Sequence, residues 1–253
     1  MPSELRSFKR KVAINFKVGK YTVRTAETAD DVYWALRLRY RVFFKKYLGR
    51  ALPLGLDTTP YDLDADHLLV CDPDGIIVGT YRLRSSTFTK RFYSMSEFHL
   101  LNFQHTLAGK LELSRACIDP DKRQGVVIMC LWRGILKYAS EVQATQLFGC
   151  VSVMTSDVSE AASILRHLQK QDYHRDAYCV VPRSGFTMPS FQNEYAKASQ
   201  GVIALPPLFS SYLKIGARVY GEPAYDSSFK CMDYFTVLDL KDMDKAYADK
   251  LAV

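Results

Sequence analysis

The stretch Leu111-Glu-Leu-Ser-Arg-Ala-Cys-Ile118, continued by Asp119-Pro-Asp-Lys-Arg-Gln-Gly125 and a long apolar segment, decides how the chain is read. Its composition predicts a strand over Lys110–Ile118. Strand side chains alternate, so Leu111, Leu113 and Arg115 point one way and Glu112, Ser114 and Ala116 the other. A bulge would break that alternation and bring Glu112 and Arg115 to one cavity. Asp119-Pro120 ends the strand. The turn then presents Arg123 and Gly125 at the start of a helix expected over Val126–Val142, where unpaired backbone N–H groups and the helix dipole favour a phosphate-type anion. Taken alone, an Arg-x-Gly turn is weak evidence and reads first as a solvated turn that needs glycine for its backbone.

Upstream, Tyr21–Thr25 reads as a strand and Ala29–Tyr47 as a helix, with Asp30 near its start and Val32, Leu36, Tyr40 and Phe43 at helical spacing. His67–Cys71 and Ile76–Arg84 read as a hairpin turning at Asp72-Pro-Asp-Gly75. Downstream come a buried strand at Gln146–Val153 and an amphipathic helix at Ser159–Lys170, capped by Ser159. A short helix is expected from Pro206-Pro207 to Gly216, and a strand at Tyr234–Leu238. This order predicts an α/β (α+β) fold round a mixed sheet.

The 253 residues include 14 Phe and 16 Tyr with only 13 Gly and 10 Pro, which excludes disordered and collagen-like classes. Net charge is +7, and residues 1–50 hold 13 Lys/Arg against 4 Asp/Glu. The positive charge therefore belongs to the N-terminal fifth, suited to an acidic protein, an anionic membrane face or nucleic acid. No apolar run suits a secretory leader or a membrane span; the longest, Val126 to Leu136, contains Arg133. The six cysteines lack any C-x-x-C pair, which argues against a zinc cluster and for buried free thiols in a reducing cytosol.

An ordered set of segments carries a family likeness: Leu38-Arg-Tyr-Arg-Val-Phe43, Asp62, Asp66-His-Leu-Leu-Val70, Gly79-Thr-Tyr-Arg82, Glu112-Leu-Ser-Arg115 and Arg123-Gln-Gly125. In order and spacing they resemble the acyl-donor-binding core of the GNAT N-acyltransferase superfamily. The likeness is nearer to the amino-acid N-acyltransferases of ornithine-lipid synthesis and their relatives, the acyl-homoserine lactone synthases. Pro206-Pro-Leu-Phe-Ser-Ser-Tyr-Leu-Lys-Ile-Gly-Ala-Arg218, Asp226 and Asp233-Tyr-Phe235 resemble the C-terminal extension of the ornithine-lipid branch. Lactone synthases carry a Trp where this chain has Leu48-Gly-Arg50 and a second Asp where it has Thr59, so the departures favour amino-acid acylation. The resemblance implies a GNAT-like mixed, mostly antiparallel central sheet flanked by helices. It implies a single domain over 1–253, with a core at about 20–182 and an extension at about 183–253.

It also implies a fatty acyl group, 3-hydroxylated, passing from acyl carrier protein to the α-amine of ornithine or a similar amino acid. Acyl carrier protein or acyl-CoA enters as co-substrate, with no cofactor and no metal. The expected partners are the carrier protein, the amino acid and, peripherally, an anionic membrane at the inner face of the cytoplasm, but no nucleic acid. Direct attack by the amine needs a proton acceptor, and Glu112 is the candidate base; its other reading is a salt bridge to Arg115 or Arg82. Backbone N–H groups near Cys117 and Ile118 would stabilise the oxyanion, and Arg123 with Gly125 would take the phosphopantetheine phosphate. One of Arg39, Arg82 and Arg115 would clamp the substrate carboxylate, although Arg39 also reads as part of a solvated helix face. Asp62 would hold a side-chain amine or cap its loop, and Phe43 reads as core or acyl contact. Phe186, Phe191, Tyr195, Phe209 and Tyr212 would wall an acyl tunnel or pack as ordinary core.

Three rival chemistries fare worse. His67 to Asp72 and His167 to Asp172 match His-x4-Asp, but no Pro-Glu-Gly segment follows either. G-x-S-x-G is absent, which removes the usual serine hydrolase signature. A basic nucleic-acid-binding module would rest on Lys9-Arg-Lys11 and Arg37–Arg50, whose charges spread over several faces of one helix.

Overall fold

The computed structural model describes residues 2–52, 54–122, 125–198 and 203–251. An antiparallel hairpin of β1 (Asn15–Val18) and β2 (Tyr21–Thr25) leads into α1 (Ala29–Arg39). Thr28 caps α1 reciprocally: its hydroxyl accepts from the Asp31 N–H while the Asp31 carboxylate accepts from the Thr28 N–H. Asp31 also holds Arg24 through bonds of 2.8 and 2.6 Å, which ties the helix to β2. The helix expected over 29–47 forms in two registers, α-helical to Arg39 and π-helical over Tyr40–Tyr47. Strands β3 (Asp66–Cys71) and β4 (Ile77–Ser85) form the expected hairpin. Next come β5 (Phe98–Leu100), β6 (Lys110–Ile118), α2 (Gly125–Glu141) and β7 (Gln146–Val153).

α3 (Val158–Lys170) starts from Asp157, whose carboxylate accepts from both the N–H and the hydroxyl of Ser159. The cap is thus Asp157, and the expected cap Ser159 lies inside the helix. Then follow β8 (His174–Arg175), β9 (Val180–Pro182), α4 (Phe191–Lys197) and α5 (Pro207–Ile215). Gly216 closes α5 at φ +119°, where a Cβ would stand 2.5 Å from the Asp242 carbonyl oxygen, so only glycine fits. β10 (Arg218–Tyr220), β11 (Ala224–Asp226), β12 (Cys231–Asp239) and α6 (Lys245–Leu251) complete the order.

By its contacts the chain divides into two compact units that interleave in sequence: Met1–Lys90, Gly109–Ala144 and Asp249–Val253, against Arg91–Ala108 and Thr145–Ala248. The junction expected near 182/183 falls inside the second unit. In the first, β1-β2-β3-β4-β6 pair antiparallel throughout. α2 lies against the sheet so closely that a Cβ on Gly134 would meet Leu68 and Val23 at 2.8 Å. α1 packs Val32, Ala35 and Leu36 with Leu69 and Cys71, the opposite strand parity, so the two helices cover opposite faces. The Tyr138 hydroxyl donates to Asp66 at 2.9 Å, and Asp66 accepts from the backbone of Lys11 and Val12, which fastens the N-terminal segment.

In the second unit β12 pairs antiparallel with β7, β10 and β11, β10 pairs parallel with β8, and β5 pairs antiparallel with β9. α3, α4 and α5 bury Ile164, Leu165, Phe191, Phe209 and Leu213 against Val219 and Tyr234. Tyr195 and Tyr212 pack on that cluster, whereas Phe186 packs on a separate one with Phe98, Phe148 and Phe235. The aromatic run proposed as one tunnel wall is therefore divided between two packed cores. The architecture is the expected mixed α/β one, with mostly antiparallel pairing flanked by helices.

Candidate active site

Between β4 and β6 the register runs from Ser85↔Leu111 to Arg82↔Ser114, then resumes at Thr80↔Cys117. Two residues, Arg115 and Ala116, thus stand opposite Tyr81 alone, and Arg115 takes φ +54°. This is the bulge the sequence made plausible. A non-glycine residue held in the left-handed region costs on the order of 1–3 kcal/mol and persists only where its surroundings fix it. The bulge reverses parity: Arg115 reaches Asp57 (Nε to Oδ2, 3.4 Å), while Ser114 accepts from Arg82 Nε at 3.0 Å. Ser114 and Arg115 consequently serve the same face of the sheet, the one covered by α1.

On that face Arg39 has no exposed surface, which overturns the solvated-helix reading. Its Nε donates to Asp57 at 2.7 Å, Nη1 to Asp62 at 2.7 Å, and Nη2 to the Asp57 carbonyl at 2.9 Å. Arg82 Nη1 donates to the Thr59 hydroxyl at 2.7 Å and lies 3.4 Å from Asp62. Asp62 also accepts from the backbone and hydroxyl of Thr59, at 2.7 and 2.9 Å. Thr59, marked in sequence only as the absence of an aspartate, is a working bridge between Arg82 and Asp62. The second carboxylate is present at Asp57, which sequence reasoning missed because it lies in an irregular loop without periodicity. Below the cluster, the His67 ring meets the Asp62 carbonyl through Nε2 at 2.9 Å.

The electrostatics follow from this packing. Burial alone would raise Asp57 and Asp62, but Arg39 with Arg115, and Arg39 with Arg82, hold both carboxyls below the ordinary range. Burial pushes Arg82 down to about 10, with Asp62 opposing and Arg115 and Arg39 adding to the fall. Burial likewise takes His67 down to about 4, so the imidazole is neutral near pH 7. Five charges are thereby fixed within one dry cluster.

The remaining expected site residues are distributed as follows. Glu112 is fully buried on β6, two positions before Ser114 and in register with Arg84. Phe43 is half-buried and packs on Leu38, Val42 and Cys117. Cys117 and Ile118 resume the ladder beyond the bulge, opposite Thr80 and Gly79. Gly125 opens α2, and Arg123 lies outside the described residues. The N-terminal excess of positive charge is partly neutralised locally: besides the buried Arg39, Arg24 is paired with Asp31, Arg10 with Glu27, Lys11 with Asp64 and the exposed Arg41 with Asp119. Lys9, Lys45 and Lys46 are exposed. Among the described residues no helix is long and apolar enough to cross a membrane.

Residues 38–133 match the model of the acetyltransferase (GNAT) domain, a span that contains Arg39, Asp57, Asp62, Arg82, Glu112 and Arg115. Over 248 residues the chain is 30% identical to the L-ornithine N(α)-acyltransferase of Rhizobium meliloti (strain 1021), covering 91% of this chain and 84% of the relative. The Brucella abortus (strain 2308) protein of the same name is 28% identical over 248 residues, 91% of this chain and 88% of the relative. FeeM, an N-acyl amino acid synthase from uncultured soil microbes, superposes with a TM-score of 0.51 at 10% identity, covering 88% of this chain and 93% of that one, which shows a shared fold. With the GNAT domain spanning the whole ion cluster and the likeness running nearly end to end, the chain is an acyltransferase that belongs to the L-ornithine N(α)-acyltransferase family.

Proposed function

We propose that the chain transfers a 3-hydroxylated fatty acyl group from acyl carrier protein to the α-amine of ornithine, giving an N-acyl amino acid of the lyso-ornithine-lipid type. The carrying observation is the β6 bulge, which turns Arg115 onto the face shared by Ser114 and Arg82. The names of the relatives supply the amino acid. The basic N-terminal fifth also fits a catalyst working at an anionic inner membrane face.

In this reading the ammonium first loses a proton, the neutral amine attacks the thioester carbonyl, and the carbon–sulfur bond breaks as the amine's second proton passes to the departing thiolate. Free amino groups of this kind are protonated at neutral pH, titrating at about 8 or above, so a base is required. Glu112 takes the proton. Successive same-face positions on a strand are about 7 Å apart, so a water carries the proton from an amine seated beside Ser114 and Arg115. Backbone N–H groups around Cys117 and Ile118 receive the developing oxyanion. The first turn of α2, opened by Gly125, receives the carrier's phosphate.

The three arginines divide the remaining work by exposure. Arg39 and Arg82 have no exposed side-chain surface and Arg115 has 13%, so Arg115 meets the substrate carboxylate. Arg39, Asp57 and Asp62 position Arg115 and Arg82. Phe43 lines the approach beside Cys117. The exposed Lys45 and Lys46 and the Lys9–Lys11 segment attract the acidic carrier protein.

The test supplies the purified chain with ornithine and either 3-hydroxyacyl carrier protein or the matching acyl-CoA, with products weighed by mass spectrometry. The expected product has the mass of 3-hydroxyacyl-ornithine and forms faster from the carrier protein. Acylation of a different amino acid, or preference for acyl-CoA, would overturn the corresponding half of the proposal.

A further inference from the structure

The second unit contains a cluster that acyl transfer does not use. Glu97, Asp226 and Asp233 converge with carboxylate oxygens all within 4.8 Å of one another, and the three residues are 1%, 7% and 3% exposed. Each stands on a fixed support. Glu97 directly precedes β5, its N–H donating to the Ser94 carbonyl at 3.2 Å and its own carbonyl accepting from the Arg183 N–H at 2.7 Å. Asp226 ends β11 and accepts from the N–H groups of Ser228 and Phe229. Asp233 lies on β12, in register with Ala224 and Ser152, and accepts the Ser152 hydroxyl at 2.5 Å.

Burying three carboxylates together is costly unless something neutralises them. Among the described residues no ion pair is seen at Glu97 or Asp226, while Asp233 has polar partners of its own, Ser152 and Cys231. Neither side-chain oxygen of Glu97 meets a hydrogen-bond partner, and the groups that favour its ionised form, Tyr93 and Cys150, carry no positive charge. A dry carboxylate with both oxygens unpartnered, aimed at two others, is what a missing positive charge leaves behind.

We propose that Glu97, Asp226 and Asp233 bind one hard divalent cation of calcium size. The donors are carboxylate oxygens, which select the calcium, magnesium and manganese class over softer metals. Calcium takes ligands at about 2.3–2.6 Å, so two ligands of one ion stand no more than about 5.2 Å apart, and oxygens within 4.8 Å of one another meet that limit. Magnesium, at about 2.0–2.1 Å, sets a tighter limit of about 4.2 Å. The cation joins the β11–β12 hairpin to the segment that starts β5, and so stiffens the second unit. Without it the competing occupant is a proton: burial first, then Asp233, pushes the Glu97 carboxyl well above its ordinary value.

The test uses the full chain, stripped with chelator and titrated with calcium chloride above neutral pH. Thermal unfolding and radiolabelled calcium binding are the readouts. Saturable binding of one calcium with a rise in Tm is expected. Glu97→Gln should bind calcium at least about tenfold more weakly. That variant should also melt above the stripped wild-type chain, because a neutral amide no longer needs a counter-charge. Asp233→Asn provides a second variant for binding. No calcium binding and no Tm response to calcium, magnesium or manganese in the wild-type chain would overturn the proposal and leave the triad as a proton-sharing cluster. Unchanged calcium affinity in Glu97→Gln would overturn the assignment of the ligands.

Discussion

Asp62 in the first unit and Glu97 in the second are both 1% exposed, yet their carboxyls move in opposite directions from ordinary values. Asp62 faces Arg39 and Arg82 and accepts from Thr59, so its anion is held even though burial opposes it. Glu97 faces Asp226 and Asp233, so burial and like charge act together against its anion. Depth alone therefore decides nothing about a buried acid; the sign of its neighbours does. The first cluster carries its own counter-charge and is built to hold a geometry. In the second, the Glu97 carboxylate oxygens have no such partner among the described residues, and the cluster is built to receive a charge.

The comparison breaks most sharply at Asp62. Asp62→Ala strands Arg39 and Arg82 in a dry cluster, and a loss of about 3–5 kcal/mol in urea unfolding is expected. Near-wild-type stability would mean that the cluster is wetter than its burial implies. Glu97→Gln should have the opposite sign in metal-free buffer. A carboxyl whose folded value is raised binds protons in the native state that the unfolded chain has lost. Its contribution is complete below the unfolded value and fades as pH rises toward the folded one. The variant should thus gain on wild type as pH is raised above about 4.5, as read from Tm across a pH series. A Tm difference that ignores pH would exclude this origin.

His67 sharpens the acid side of the first cluster. Its folded value, about 4, lies below the ordinary 6.5, so the native state resists a proton that the unfolded chain accepts. Stability is then lost as pH falls from 6.5 toward 4, and the depressed Asp62 adds a further loss below its ordinary 3.8. His67→Gln should flatten the first of these limbs and leave the second, measured by chemical unfolding at stepped pH. The smallest effect concerns docking: Lys45→Glu with Lys46→Glu should raise KM for the carrier protein and weaken its salt dependence, with kcat retained. Salt dependence equal to wild type would move the dock elsewhere.

What the sequence revealed and concealed has a physical pattern. Strand and hairpin positions were legible because alternation and the Asp72-Pro-Asp-Gly75 turn are local signals, and Lys110–Ile118 was read to the residue. The bulge was foreseeable as an option, but its position depends on Arg115 reaching Asp57 across the fold. Arg39 was ambiguous because Arg37 and Arg41 flank it on one helix, and only the loop carrying Asp57 and Asp62, 18 and 23 residues on, makes it internal. Asp57 itself sits in irregular backbone that offers no period. The carboxylate triad was hidden more deeply, since Glu97 comes from one side of the first unit's β6 segment in sequence and its partners from the far C-terminal hairpin. Close metal-ligand spacing, the signal sought among the cysteines, does not exist for ligands gathered by a sheet.

Acyl transfer on the inward face of β6 depends, in the proposed function, on Glu112 as proton acceptor. Its most direct test is thiol release from 3-hydroxyacyl carrier protein by Glu112→Gln with ornithine present, followed across pH on protein whose unfolding transition matches wild type. With Glu112 as proton acceptor, kcat should fall about 10²–10⁴-fold with little change in KM for the carrier protein. Wild-type turnover at every pH would remove Glu112 from that role and leave its carboxylate as a salt bridge between strands.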